Sequence, residues 1–356
     1  MKRFVFSLLA LLLSAAGASA QLKFVDAEQL GLVNKLGPTE NRYHRVDTDK
    51  YDLTQAEANL LRMPAGMALV FRTNSSQIAV RTHYLNYSMV RHSTTGVSQT
   101  GYDLYIRKDG GWLYAGSNAP KNEDAELVLV RNMDDSEKEC LLYLPLYDQL
   151  KKLEIGVDEK SVIAPMENPF RHKIVVHGSS ITHGIAAGRA GMAYSSRLGR
   201  DTGLYCINLG FSGQCTMQPE FASYLSRVEA DAFVFDCFSN PSAEVINERF
   251  DAFVDTIRRT HPTTPLIFLQ TIRRETRNFS TRIEKFEREK QAAAEAQVRD
   301  RMKTDKNIYF VDPGDLLGSD HIATADGTHP TDLGFTYMLD RIEPQIRKIL
   351  GKYGIR

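Results

Sequence analysis

Cysteine is scarce, and neither sign of charge is in excess. The 356 residues include four cysteines, which are too few and too scattered for a disulfide scaffold. Cys206 and Cys215 are compatible with a disulfide in an oxidising compartment or with buried free thiols. Lysine plus arginine and aspartate plus glutamate both total 44, which gives a net charge of +0. The chain therefore has no excess of positive charge that would indicate binding to nucleic acid or to an anionic membrane surface.

Long apolar runs are also missing, apart from one short stretch at the N-terminus. Lys2 and Arg3 precede an apolar stretch at 4–13, and the small residues Ala18-Ser19-Ala20 follow it. The stretch is too short to span a bilayer comfortably. The pattern is typical of a secretory signal peptide at 1–20, so we expect a mature chain that begins near Gln21. No cysteine occurs before Cys140, which argues against a lipid anchor on a new N-terminal cysteine.

The first half of the chain is a series of short strand patterns. Clusters of Asn, Ser, Gly and Asp separate these strands, and no convincing helix lies among them. The predicted strands are 67–71, 78–82, 127–130, 141–144 and 153–157. This pattern predicts a β-sandwich, which we assign to residues 21–165. A linker-like segment, 164–169, ends this region.

The second half alternates between apolar strands and helices. The predicted strands are 174–176, 205–209, 232–238, 266–269 and 308–311. Two helices are predicted at 243–259 and 282–303, and the charges of the second are interpreted as a solvated face. Continuously apolar strands between helices predict an α/β domain with a parallel sheet covered on both faces, which we assign to 170–356.

Polar segments follow four of these strands, where ligand sites of open α/β sheets gather. They read His177-Gly-Ser-Ser-Ile-Thr-His-Gly184, Asn208-Leu-Gly-Phe-Ser-Gly213, Ser239-Asn-Pro241 and Asp326-Gly-Thr-His-Pro330. Ser180 is a candidate nucleophile, with His329 as its base and Asp326 as the carboxylate that orients the base. The N–H groups of Ser180 and Gly213 and the side-chain amide of Asn240 are candidate donors to an oxyanion.

The order of these segments resembles the SGNH, or GDSL-type, hydrolases over about residues 172–350. Gly101-Tyr-Asp-Leu-Tyr105, followed by Gly111-Trp112, is similar to the β-sandwich that precedes a subset of them. Two-domain members of that kind include carbohydrate esterases that remove acetyl groups from polysaccharides. The resemblance implies a flavodoxin-like catalytic domain after a jelly-roll-like sandwich.

The chain departs from the family pattern at two positions. Ser179 stands where the family usually has Asp, so the shorter hydroxyl must support the loop. The third block, Asp236-Cys-Phe-Ser-Asn240, lacks the usual Gly two residues before Asn. Neither departure removes a catalytic group.

Each segment also has a purely structural interpretation. Ser180 is a possible helix N-cap, Asp326 and His329 fit a turn before a helix from about Asp332, and Asn240 fits a turn at a strand end. Their joint occurrence in family order favours catalysis. The Gly-x-Ser-x-Gly elbow of other hydrolases does not fit, because residue 182 is Thr.

Further polar residues near these blocks receive more conservative interpretations. His177 and His183 match no zinc spacing, so packing or substrate contact is favoured. His321 is a minor candidate for the cleft. A solvated loop is the interpretation of Arg273, Arg274 and Arg277.

The resemblance implies a serine esterase that needs no metal or other cofactor, and the signal-peptide pattern predicts that it is secreted or periplasmic. Its expected substrate is a carbohydrate carrying short acyl groups, with acetyl favoured. A lipolytic or thioester-cleaving enzyme and a non-catalytic glycan-binding protein are the alternatives. No nucleic-acid partner and no stable membrane insertion are expected, and the sequence leaves the oligomeric state open.

Overall fold

The computed structural model describes residues 21–88 and 92–356. The predicted signal peptide at 1–20 lies outside the described residues. Within the described ranges, none of the helices combines the length and the apolar character that crossing a membrane requires.

The first half forms two antiparallel sheets. Its strands are β1 Leu22–Asp26, β2 Gly31–Val33, β3 Ala68–Thr73, β4 Ile78–Asn86, β5 Tyr102–Lys108, β6 Gly111–Asn118, β7 Asp124–Val130, β8 Lys138–Tyr143, β9 Gln149–Asp158 and β10 Ile163–Pro165. One sheet has the order β1-β9-β4-β7, and the other has β10-β3-β8-β5-β6 with β2 beside β3. Two short helices, α1 Gln55–Leu61 and α2 Gly96–Gln99, accompany them.

The two sheets share one apolar core. Val80 of β4 and Ile155 of β9 belong to the same buried cluster as Leu69, Leu104 and Leu142 of the other sheet. Alternate residues of the strands face this core, as expected for packed antiparallel sheets. The predicted β-sandwich is therefore confirmed, and each predicted strand overlaps an observed one.

The second half contains one parallel sheet. Its strands are β11 Arg171–Gly178, β12 Leu204–Gly210, β13 Ala232–Asp236, β14 Leu266–Leu269 and β15 Ile308–Val311. Its helices are α3 Ser180–His183, α4 Tyr194–Thr202, α5 Pro219–Leu225, α6 Ala243–Arg258, α7 Thr281–Thr304 and α8 Asp332–Gly351. The strand order β12-β11-β13-β14-β15 is the flavodoxin-like order, which confirms the predicted fold class.

Helices cover both faces of this sheet. Ile174 and Val176 of β11 lie in a cluster with Phe335 of α8, whereas Val175 lies in the opposite cluster with Phe250 of α6. Successive residues of a central strand are therefore all buried, which explains its continuously apolar sequence.

Three strands of the parallel sheet end at the same level. Gly178 of β11 is in register with Gly210 of β12 and with Asp236 of β13. The strand order reverses around β11, and ligands of such sheets bind in the crevice at that point. The segments after these strands are therefore brought to a common edge.

Candidate active site

A tight turn after β11 presents Ser180. Ser180 is the first residue of α3, and the hydroxyl of Ser179 caps this helix by accepting the Ile181 N–H at 3.2 Å. The capping interpretation of Ser180 is therefore wrong, because Ser179 occupies that position. A Cβ at Gly178 would lie 2.1 Å from Thr182 Oγ1, so the turn requires glycine there.

Ser180, His329 and Asp326 form a continuous hydrogen-bonded chain. Ser180 Oγ lies 2.9 Å from His329 Nε2, and His329 Nδ1 lies 2.8 Å from Asp326 Oδ2. Ser180 is 8% exposed and therefore only narrowly accessible. In this geometry one imidazole nitrogen faces the hydroxyl and the other faces a carboxylate, which is the arrangement a general base requires.

The Asp326 carboxylate is held on both oxygens. Its Oδ1 accepts the backbone N–H groups of Thr328 at 3.0 Å and His329 at 2.9 Å. Its Oδ2 accepts from His329 and from the hydroxyl of Ser93, a residue of the N-terminal sandwich. Partial burial opposes ionisation, but the bonds from Ser93 and His329 outweigh it and hold the pKa of Asp326 well below its usual range. The carboxylate is therefore ionised beside the imidazole.

The two other candidate oxyanion donors lie on adjoining segments. Gly213 has a φ of 75°, a left-handed conformation that favours glycine. Asn240 Oδ1 accepts the Cys215 N–H at 3.2 Å, which ties the loop after β13 to the loop after β12. Because this bond uses the amide oxygen, the NH₂ group of Asn240 is the part of the side chain that can donate to a ligand.

Two family models match this chain, one in each half. The model of the GDSL-like lipase/acylhydrolase family matches residues 171–347. The model of the GxDLY region, the N-terminus of SGNH-hydrolase-type esterases, matches residues 22–163.

The chain belongs to the GDSL-like lipase/acylhydrolase family. A candidate GDSL-like lipase from Bacteroides ovatus ATCC 8483 is 46% identical, over 93% of this chain and 98% of that one, with a TM-score of 0.90. A family two carbohydrate esterase from Cellvibrio japonicus is 12% identical, over 93% and 99% of the two chains, with a TM-score of 0.62. The acetyl xylan esterase Est2A from Butyrivibrio proteoclasticus is 13% identical, over 93% and 99%, with a TM-score of 0.55. Curated protein sequences provide no significant match.

A buried carboxyl group lies next to the turn that carries Ser180. The sequence pattern did not assign it a role. Asp236, the last residue of β13, accepts the Thr182 hydroxyl at 3.0 Å and the Tyr194 hydroxyl at 3.3 Å. Burial raises the pKa of Asp236 to about 7, more than the hydrogen bonds from Thr182 and Tyr194 lower it. The hydrogen bond from Thr182 to Asp236 therefore ties α3 to the end of β13.

We expect Asp236 to make stability fall as the pH rises toward neutrality. Its folded pKa exceeds the unfolded value, so the stabilisation is fully present below about pH 4 and is lost as the pH rises through about 7. Asp236→Asn removes this titration, so the difference in unfolding free energy between the two proteins should change by roughly 2–3 kcal/mol from pH 5 to pH 8. Urea unfolding of both proteins at pH 5 and at pH 8 measures this change. An equal difference in unfolding free energy at the two pH values would contradict the prediction.

The two histidines that flank the candidate nucleophile pack against aromatic rings. His177 is fully buried, contacts the rings of Phe211, Phe235 and Phe253, and has its pKa lowered to about 3 by burial. His183 stacks on the ring of Tyr147 with centroids 4.2 Å apart. The favoured packing interpretation agrees with these contacts. Among residues 21–88 and 92–356, no group of three or more His, Cys, Asp or Glu side chains is arranged to hold a metal.

Some charges that we interpreted as solvated are buried. Glu287 and Lys290 of α7 are fully buried, and Lys290 Nζ lies 2.9 Å from Glu287 Oε1. Arg274 Nη1 lies 3.5 Å from the same Glu287 oxygen, and its Nη2 donates to the Ser239 carbonyl at 3.0 Å. The solvated interpretation is wrong for Glu287 and Lys290, whereas Arg274 is partly exposed. Arg274 links this buried pair to the backbone next to Asn240. The sequence gives no signal that sets Glu287 and Lys290 apart, because the exposed pair Asp300 and Lys303 of the same helix has the same i, i+3 spacing.

The N-terminal sandwich also holds the loop after β12. Arg45 is buried and donates to the carbonyl oxygens of Asn208 at 3.0 Å and Gly210 at 3.1 Å. The hydroxyls of Tyr147 and Ser212 lie 2.8 Å apart, next to Gly213.

His321 is exposed and lies 3.4 Å from Glu275, so its place in a cleft stays a prediction. All four cysteines are free and buried, so Cys206 and Cys215 form no disulfide.

Proposed function

We propose that this protein is a serine esterase with Ser180 as the nucleophile, His329 as the general base and Asp326 as the residue that orients the base. The observation that carries the proposal is the hydrogen-bonded chain from Ser180 Oγ through both imidazole nitrogens to Asp326. An alcohol is a weak nucleophile until a base takes its proton, and this geometry supplies that base.

The proposed reaction proceeds through an acyl-enzyme. Ser180 Oγ attacks the ester carbonyl while its proton passes to His329 Nε2, and the bond to the leaving alcohol breaks as His329 returns the proton to it. A water molecule then loses a proton to His329 and attacks the acyl carbonyl, which releases the acid and restores the Ser180 hydroxyl. The N–H groups of Ser180 and Gly213 and the amide of Asn240 would stabilise both oxyanions.

We further propose that the substrate is a carbohydrate carrying short acyl groups, with acetyl favoured. Support comes from the arrangement of both domains, which the chain shares with a family two carbohydrate esterase and an acetyl xylan esterase over 93% of its length. Acetate release from a panel of acetylated glycans tests the proposal. Release from none of them, with hydrolysis of other esters, would reject the carbohydrate substrate.

A lipolytic function is the second candidate, and one surface feature favours it. Phe279 is fully exposed and Ile322 is 60% exposed. Phe279 follows Asn278 in the chain, and Ile322 follows His321. Asn278 Nδ2 and His321 Nδ1 lie 3.4 Å apart. This segment adjoins the Asp326 loop, because the Glu275 N–H donates to the Gly327 carbonyl. A long acyl chain bound beside the Asp326 loop would contact the apolar side chains of Phe279 and Ile322.

We expect acetyl and propionyl esters to be hydrolysed with a higher kcat/KM than octanoyl esters. The polar stretches Arg273–Asn278 and Gly318–His321 provide little apolar surface for a long chain. A series of 4-nitrophenyl esters of increasing length measures the preference. A preference for eight carbons or more that Phe279→Ser abolishes would establish the lipolytic candidate. Absence of any hydrolysis would favour the glycan-binding alternative.

We also propose that residues 1–20 direct export and are removed, with the mature chain beginning near Gln21. N-terminal sequencing of protein recovered from periplasmic and extracellular fractions tests this proposal. An intact Met1 in those fractions would contradict it.

A further inference from the structure

Ser93 connects the N-terminal sandwich to the candidate catalytic carboxylate. It lies in the segment between β4 and α2, and its hydroxyl donates a hydrogen bond to Asp326 Oδ2, 233 positions further along the chain. The same oxygen accepts from His329 Nδ1 at 2.8 Å. Ser93 therefore touches the carboxylate oxygen that faces the base.

The segment around Ser93 is anchored on the catalytic domain. Thr95 is the N-cap of α2, and its hydroxyl also donates to the Gly188 carbonyl at 2.7 Å. The Gly188 N–H in turn donates to Asp332 Oδ1 at 2.8 Å, at the start of α8. Ser93 is thus two residues from a contact that joins the segment to the loop after α3.

The two oxygens of Asp326 have different sources of support. Oδ1 is held by backbone N–H groups of its own loop, at Thr328 and His329. Oδ2 accepts a hydrogen bond from the hydroxyl of Ser93, a residue of the N-terminal sandwich. The same oxygen must stay aligned with His329 Nδ1. A hydrogen bond to an ionised carboxylate is stronger than one between neutral groups, so it restrains the direction of this oxygen.

We propose that Ser93 is a positioning residue through which the N-terminal sandwich completes the catalytic apparatus. The inference rests on the proposed roles of Ser180, His329 and Asp326. It gives the sandwich a part in catalysis that is independent of any contact with substrate. Ser93 acts through Asp326 and does not touch the reacting atoms.

The test is the rate at which a fluorophosphonate probe modifies the full-length chain, because this readout requires no knowledge of the substrate. Ser180 Oγ forms the bond to phosphorus, fluoride leaves, and the proton passes to His329. We expect Ser93→Ala to lower the second-order rate constant about tenfold, the effect of one charge-assisted hydrogen bond. On an acetyl ester the loss should appear in kcat, with KM within about twofold of wild type.

Three further variants separate the hydrogen bond from packing. Ser93→Thr keeps the hydroxyl and should retain most of the labelling rate. Ser93→Val, in which a methyl group replaces the threonine hydroxyl at nearly the same shape, should resemble Ser93→Ala. Thr95→Ala removes the neighbouring contact between the domains and the cap of α2, so it should lower the melting temperature and lower the labelling rate much less than Ser93→Ala does. These comparisons hold even if one variant is less stable than the others.

The outcomes distinguish this inference from the proposed function. Labelling of wild type at Ser180 with an unchanged rate in Ser93→Ala would overturn the role of Ser93 and leave the triad in place. Equal losses in Ser93→Ala and Thr95→Ala would also overturn it, because they would assign the effect to loop docking. Absence of labelling at Ser180 in wild type would reject the proposed function itself.

Discussion

Replacement of Ser180 by alanine is expected to lower turnover about 10⁴–10⁶-fold and to leave the fold intact. The expected loss is large because Ser180 Oγ is the atom that would form the acyl-enzyme, and it lies 2.9 Å from His329 Nε2. Ser180 as a whole is 8% exposed, and removal of its hydroxyl leaves the α3 cap on Ser179 untouched. Initial rates on an acetyl ester and a thermal melt of the same preparation check both parts.

Ser179→Ala is the matched control, because it removes the adjacent hydroxyl without removing the proposed nucleophile. Loss of the N-cap bond to Ile181 should cost about 1 kcal/mol of stability. Activity should remain substantial, since the Ser180 and His329 contact does not involve Ser179. If Ser179→Ala were inactive and Ser180→Ala active, the nucleophile would be Ser179 and the proposed mechanism would be wrong.

Much of the fold could be predicted because its signals are local. The strands at 266–269 and 308–311 were bounded correctly, since a buried parallel strand is apolar along its whole length. The predicted strand at 232–238 ran two residues too far, because Cys237 and Phe238 are buried like the strand although β13 ends at Asp236. Burial and strand geometry coincide in most places, and a periodicity argument cannot separate them where they differ.

The contacts that position the site could not be predicted, because they join distant parts of the chain. The Ser93 and Asp326 contact spans 233 positions, and the contact of Arg45 with the Asn208 carbonyl spans 163. Glu287 and Lys290 look like the other charged residues of α7 in the sequence, and only packing shows that they are buried. Local patterns therefore identified candidate catalytic residues but not the side chains that hold them in place.

For Asn240, the local sequence pattern and the long-range contacts of the structure assign different roles. The sequence proposed it as a donor to the oxyanion, and the third block lacks the usual family glycine. In the structure its Oδ1 accepts the Cys215 N–H at 3.2 Å, and Arg274 holds the neighbouring Ser239 carbonyl at 3.0 Å. The side chain therefore has a structural bond through its oxygen and a proposed catalytic bond through its nitrogen. The two roles predict different results for two substitutions.

Asn240→Ala is expected to lower kcat about 10²–10³-fold, or roughly 3–4 kcal/mol of transition-state stabilisation, with a much smaller change in KM. The bond from the amide matters most when the carbonyl oxygen carries negative charge, so its loss acts on the transition state more than on substrate binding. Alanine also removes the acceptor for Cys215, which by itself should lower the melting temperature. Kinetics and melts of this variant alone would therefore combine both effects.

Asn240→Asp separates the two effects, because a carboxylate keeps an acceptor for the Cys215 N–H and removes the donor. If Asn240 donates to the oxyanion, Asp should lower kcat at least as much as Ala does, since it also places a negative charge beside the developing one. If Asn240 only holds the loop, Asp should restore the melting temperature and keep kcat close to wild type. An active, stable Asn240→Asp protein would remove Asn240 from the oxyanion site and leave the backbone N–H groups of Ser180 and Gly213 as the remaining proposed donors.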